Sequence, residues 1–179
     1  MATMKKFLIM GNVNGVTYKE IFPLLKENKI WNGVTLFCGK MPYFRVDPNT
    51  DISTGNYYYD NNGFLYKQVN SICWFTNLDH SKRHEKIDLY KHYNPEEYPK
   101  YDNYDAINVD KTCNIPIDYD GAMGVPITFL DKYCPEQFEI VGWSRHNDLN
   151  MDGGYWLGGK ADATINGKEV YRRILIKSK

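Results

Sequence analysis

The stretch Lys5–Trp31, KKFLIMGNVNGVTYKEIFPLLKENKIW, decides the fold. Its apolar run Phe7-Leu8-Ile9-Met10 is continuous rather than alternating, which predicts a strand buried on both faces. Gly11-Asn12-Val13-Asn14-Gly15 breaks that strand. Thr17 and Glu20 have capping-box spacing, with Val16 and Ile21 at the flanking staple positions, so a helix is expected from Thr17 to about Asn28. Pro23 falls inside it and predicts a kink or a short first segment. Asn32-Gly33 ends the element. A strand, a tight turn and a capped helix are half of a crossover unit, and a crossover implies a parallel sheet. The turn also opens on a helix start, where backbone donors favour anions, but it is neither G-x-G-x-x-G nor a P-loop.

Outward from that stretch the chain reads as β-rich. Val34–Phe37 and Tyr43–Val46 are short strand candidates. Tyr57–Tyr59 and Phe64–Val69 flank Asp60-Asn61-Asn62-Gly63, a hairpin turn whose residues tolerate positive φ. Ser71–Thr76 is a further strand, Ile87 and Leu89 suggest another, and Ala106–Val109 reads as a short one. Residues 115–126 read as loop, Ile127–Tyr133 as a helical turn and Phe138–Trp143 as a strand. Asn166-Gly167, between Ala163–Ile165 and Glu169–Ile176, is the strongest short hairpin signal in the chain. No internal repeat or low-complexity linker interrupts the sequence.

A length of 179 residues allows one domain with a real core. The formal net charge is zero, so attraction to nucleic acid would need a local basic face. Fifteen tyrosines are the compositional anomaly. They suit ligand or base contacts, and equally the half-exposed faces of strands. The four cysteines are scattered without a C-x-x-C pair, and neither a signal peptide nor a membrane span is legible, which implies free thiols and a cytoplasmic protein.

His80-x-x-x-His84 has the spacing of two ligands on one helix face, but the segment lacks a helical apolar stripe and a third ligand, so polar surface is the better reading. Trp74 precedes Asn77, His80, Arg83 and His84, a set that combines a stacking surface with hydrogen-bonding and cationic groups. These five are the first candidates for nucleic-acid contact. Tyr18, Lys19, Tyr101, Asn103 and Tyr104 form the second group. No nucleophile elbow or catalytic residue can be named.

Six blocks carry a resemblance: GNVNGVTYKEIFPLLKENKIWNG, YFRV, WFTNLDHSKRHEKIDLY, YPKYDNYDAINVDKT, IPIDYDGAMGVPITFLDKYCPEQFEIVGW and INGKEVYRRILIK. In that order they resemble the EcoRI-type adenine-specific DNA methyltransferases. The resemblance implies an α/β fold: a partial Rossmann-like methyltransferase sheet with a β-rich target-recognition insertion. Residues 5–33 would be a strand-loop-helix of that sheet, 34–125 the insertion and 126–179 the closing strands and hairpin, all in one unit spanning 1–179. The family transfers a methyl group from S-adenosylmethionine to adenine N6 in DNA, usually within a restriction-modification system. Its glycine motif and its Asn-Pro-Pro-Phe-like catalytic motif lie upstream of the block that begins here. This sequence contains neither, since Asp47-Pro48 and Asn94-Pro95 lack the second proline.

The chain therefore resembles the C-terminal half of the family. The resemblance implies DNA recognition without independent catalysis, and no tight adenosylmethionine site in this chain alone. It also implies an uncovered strand edge at Phe7–Met10, to be covered by the other half, by a second copy or by rearranged local segments. A split enzyme completed in trans and an aromatic-rich ligand-binding module are the alternatives.

Overall fold

The computed structural model describes residues 5–34, 43–147 and 149–179. In chain order its strands are β1 (Leu8–Asn12), β2 (Trp31–Asn32), β3 (Tyr43–Arg45), β4 (Tyr57–Tyr59), β5 (Leu65–Gln68), β6 (Ile72–Thr76), β7 (Ala106–Asn108), β8 (Ala122–Val125), β9 (Phe138–Trp143), β10 (Thr164–Ile165), β11 (Lys168–Glu169) and β12 (Ile174–Ser178). The α-helix is α1 (Phe22–Lys26), and four short 3-10 turns complete the described elements. The architecture is mixed α and β, mostly strand.

The opening stretch folds differently from its sequence pattern. β1 pairs antiparallel with β6, Leu8 opposite Thr76 and Asn12 opposite Ile72. β2 pairs antiparallel with the other edge of β6, Trp31 opposite Thr76. The order is β1-β6-β2. Strands β1 and β2 thus run parallel to one another, joined through α1, with β6 slotted between them. The crossover exists, but no parallel pair forms within it.

The capping box does not form. Thr17 Oγ1 donates to the Asn14 carbonyl at 2.8 Å, closing a 3-10 turn over Val13–Thr17. The α-helix starts five residues later, with Pro23 in its first turn, where a missing N–H costs nothing. Gly11 and Gly15 have a packing role. A Cβ at Gly11 would lie 2.9 Å from the Phe75 ring, and one at Gly15 would lie 3.3 Å from it.

β1 is not buried on both faces. Leu8, Ile9 and Met10 are 55%, 56% and 50% exposed. The physical reason is position: β1 ends its sheet, and among the described residues no strand lies beyond it.

The larger sheet has the order β7-β8-β12-β9. β7 and β8 are parallel, and β12 runs antiparallel to both β8 and β9. Here the edges are covered by the chain itself. Tyr101 N donates to the Ala106 carbonyl and Asn108 N to the Pro99 carbonyl beside β7, while Trp143 N donates to the Met151 carbonyl beside β9. β8 falls in the region read as loop. Gly124 makes it possible: a Cβ there would lie 2.2 Å from the Tyr101 hydroxyl oxygen.

The two sheets share one core. Val16, Phe22 and Leu25 pack with Phe75 on one side and with Ile107, Met123, Phe138, Ile140 and Ile176 on the other. Phe22 meets Trp143 at a ring separation of 6.0 Å.

Both hairpins expected from turn chemistry are present. Asp60 Oδ1 accepts from Asn62 N and Phe64 N, each at 2.9 Å, between β4 and β5. Asn166 and Gly167 have φ of 52° and 74° between β10 and β11. Glu169–Ile176 is not one strand; it divides into β11 and β12, which belong to different sheets. Ile87 and Leu89 form no strand, and only an isolated bridge joins Lys91 to Pro116. The candidate Val34–Phe37 lies mostly outside the described residues.

Candidate nucleic-acid interface

The ten candidate residues fall into three places. The first five gather where β6 ends. Trp74 faces a cleft of about 320 Å³ lined with Leu8, Val34, Leu78 and His80. Asn77 ties down the approach to β1: its Oδ1 accepts from Phe7 N and its Nδ2 donates to the Lys5 carbonyl, both at 2.9 Å. His80 Nε2 is bonded to the Asn32 carbonyl at 3.1 Å. A carbonyl only accepts, so that nitrogen carries the proton.

Arg83 is turned inward. Its guanidinium stacks on Trp31 at 3.4 Å, bonds Asn28 Oδ1 at 2.6 Å and reaches Asp79 at 3.2 Å. With 8% exposure it is a structural group rather than a free cation. His84 bridges Asp79 and Glu136, each at 2.9 Å. The hydrogen bonds to Asp79 and then Glu136 raise its pKa. The His84 bond lowers that of Asp79. Bonds from Cys134, from its own backbone and from His84 lower that of Glu136. The His80–His84 pair does not converge on a common ligand. Among the described residues no cluster of metal-ligating side chains occurs.

This corner also holds unused hydrogen-bonding capacity. Both carboxamide atoms of Asn32, the Nδ1 of His80 and the Nε of Arg83 are buried without a partner. Natural cores rarely leave such groups unpaired.

Tyr101, Asn103 and Tyr104 are interior. Tyr101 donates to Asn108 Oδ1 at 2.9 Å, and burial pushes its pKa upward. Tyr104 donates to the Ala161 carbonyl at 2.6 Å, and desolvation raises its pKa too. Asn103 Nδ2 donates to the Lys160 and Asp162 carbonyls, and its Oδ1 accepts from Thr164 N. Asn103 and Tyr104 clamp the loop before β10, and all three residues are buried. Tyr18 and Lys19 are exposed in the turn before α1, where Lys19 pairs with Glu20 at 3.6 Å.

The sequence reading passed over three arginines. Arg145 and Arg172 share the carboxylate of Asp162, at 3.8 Å and 2.8 Å. Arg173 lies against Asn108 and Asp110. A cleft of about 580 Å³ runs from Asn14 and Thr17, just past β1, to Trp143, Tyr171 and Arg172. The dipeptide Arg172-Arg173 was the available signal, concealed by reading the segment as strand.

Gly11 at the end of β1 and Gly15 in the turn after it lie against the Phe75 ring.

The family described as "Adenine-specific methyltransferase EcoRI" matches residues 1–179. The type II methyltransferase M.EcoRI of Escherichia coli is 49% identical over 98% of this chain and 51% of its own length. M.MgeORF184P of Mycoplasma genitalium is 36% identical over 97% of this chain, and M.MpnI of Mycoplasma pneumoniae 35% over 98%, each matched over 57% of its own length. The chain spans about half the length of these relatives. No solved structure matches.

Proposed function

The chain belongs to the EcoRI-type adenine-specific methyltransferase family, and from that premise we propose that it is the DNA-recognising portion of an N6-adenine methyltransferase. It acts with the part of the relatives that it does not span. That part supplies adenosylmethionine binding and the catalytic loop, and its strands extend the β1-β6-β2 sheet beyond β1 into a larger Rossmann-like sheet.

One observation carries the reading. The pattern Phe7-Leu8-Ile9-Met10 is that of a strand buried on both faces, yet Leu8, Ile9 and Met10 are half exposed at a sheet edge. An exposed apolar edge invites pairing. Adding a strand there would return the sequence pattern to the environment it encodes. Among the described residues no helix is long and apolar enough to cross a membrane.

Co-expression with the segment of the Escherichia coli relative that lies outside the match tests the reading. The expected result is co-purification of the two chains and transfer of a labelled methyl group to adenine N6 in DNA. Calorimetry of the 179-residue chain alone should give no tight adenosylmethionine binding. Tight binding, or methyl transfer by this chain alone, would overturn the division of labour.

A further inference from the structure

The register of the open sheet sorts its side chains between two faces. Ile9 stands opposite Phe75 and Gly11 opposite Cys73, on the face that meets the core. Leu8 stands opposite Thr76 and Met10 opposite Trp74, so the alternation of strand side chains sends these four to the outer face. Trp31, paired with Thr76 from β2, belongs to the outer face too, and there the Arg83 guanidinium already lies over it. From that point toward β1 the outer face is apolar and bare. Leu8, Val34, Trp74 and Leu78 line one cleft of about 320 Å³, and Met10 adjoins it across from Trp74. Val34 is 63% and Leu78 37% exposed. Gly33 keeps the floor flat, since a Cβ there would lie 2.8 Å from the Trp74 Cβ. Scattered exposed apolar side chains are ordinary, but a contiguous patch on one face of a sheet marks an interaction surface.

The setting chooses the occupant. The relatives are matched over 51% and 57% of their own lengths, so close to half of each lies outside the match. Strands added beyond β1 bring crossover connections, and a crossover is usually a helix lying on a face of the sheet. This chain already follows the rule. α1 joins the parallel strands β1 and β2, and its Phe22 and Leu25 share a buried cluster with Phe75 on the inner face. A sheet that is apolar on both faces needs an element against each. The bare patch also borders the edge at which those strands would join.

We infer that an amphipathic helix, from the part of the relatives that this chain does not span, packs across the outer face of β1-β6-β2 and seats its apolar side chains among Leu8, Met10, Val34, Trp74 and Leu78. This rests on the proposal above that this part completes the sheet at β1, and it adds a face to the edge used there. Helical residues three, four and seven apart would meet the patch and the intervening ones would face solvent.

Photo-crosslinking tests the assignment in the 179-residue chain co-expressed with the segment of the Escherichia coli relative that lies outside the match. With a benzophenone side chain at position 34 or 78, the cross-linked residues of the segment should recur at that helical spacing. Val34→Asp and Leu78→Asp should each weaken the complex by roughly 10- to 100-fold, the loss expected for one buried aliphatic side chain. Each variant alone should melt like the wild type, because both side chains are exposed. Tryptophan emission should shift to shorter wavelength on binding, and Trp74→Phe should lose that shift. If the segment binds and both aspartate variants bind it equally well, the outer face is not its seat, while the division of labour stands. Cross-links at every second residue would put a strand there and overturn the helix. A wild-type chain that dimerises in sedimentation, and that Leu78→Asp returns to a monomer, would make a second copy the occupant and overturn the inference too. If the segment does not bind the wild type, the proposal beneath falls and the helix with it.

Discussion

The β1-β6-β2 sheet and the β7-β8-β12-β9 sheet share a core but end differently. The larger sheet covers its own edges, with Pro99–Tyr101 against β7 and Met151 against β9. Its strands β7 and β8 are buried along their whole length. The smaller sheet stops at β1 with three apolar side chains in solvent. The chain thus covers one sheet with its own loops and leaves Leu8, Ile9 and Met10 of the other exposed.

The largest expected effect attacks the closed sheet. Leu175 is fully buried in β12, and Leu175→Ala should lower stability by about 2–5 kcal/mol in a denaturant titration. Asn103→Ala is next. It strands the Thr164 amide and two carbonyls, at a cost of about 1–3 kcal/mol, and should loosen the 160–164 loop in hydrogen exchange. Ile9→Lys at the open edge should change the stability of the isolated chain by less than about 0.5 kcal/mol, yet abolish co-purification with the complementing segment. A loss as large as that of Leu175→Ala would mean that β1 is already covered, and the contrast between the sheets would collapse.

The smallest effect concerns the His84 bridge. A raised histidine pKa means that its contribution is complete below the ordinary value of 6.5 and is lost as pH rises through the raised one. The lowered carboxylates set the other limit: their contributions exist above ordinary values of 3.8 and 4.5 and vanish in acid. Wild type should therefore melt slightly above His84→Asn at pH 6, and the difference should disappear in mild alkali. A difference that grows with pH would contradict the bridge.

What the sequence made legible follows from range. The Asn166-Gly167 and Asp60–Gly63 turns are encoded by their own residues, and both hairpins appear where their chemistry places them. β8 was illegible because Ala, Met and Gly have little strand preference. It becomes a strand only because Tyr101, far along the chain, settles over Gly124. The capping-box spacing misled because Thr17 found a closer acceptor at Asn14. Tyr101, Asn103, Tyr104 and Arg83 read as surface because polar groups usually are. Their partners lie up to 61 residues away for Asn103 and 55 for Arg83, beyond the reach of local pattern. Arg172 and Arg173 escaped for the opposite reason, since Glu169–Ile176 reads as one strand whereas they lie between β11 and β12.

The central claim is that the outer edge of β1 receives further strands. Hydrogen exchange across Leu8–Asn12, with and without the complementing segment, addresses it most directly. The β1 amides pointing away from β6 should exchange rapidly in the 179-residue chain alone and become protected when the segment binds. Protection of those amides in a monomer, or exchange unchanged by a segment that demonstrably binds, would contradict the account.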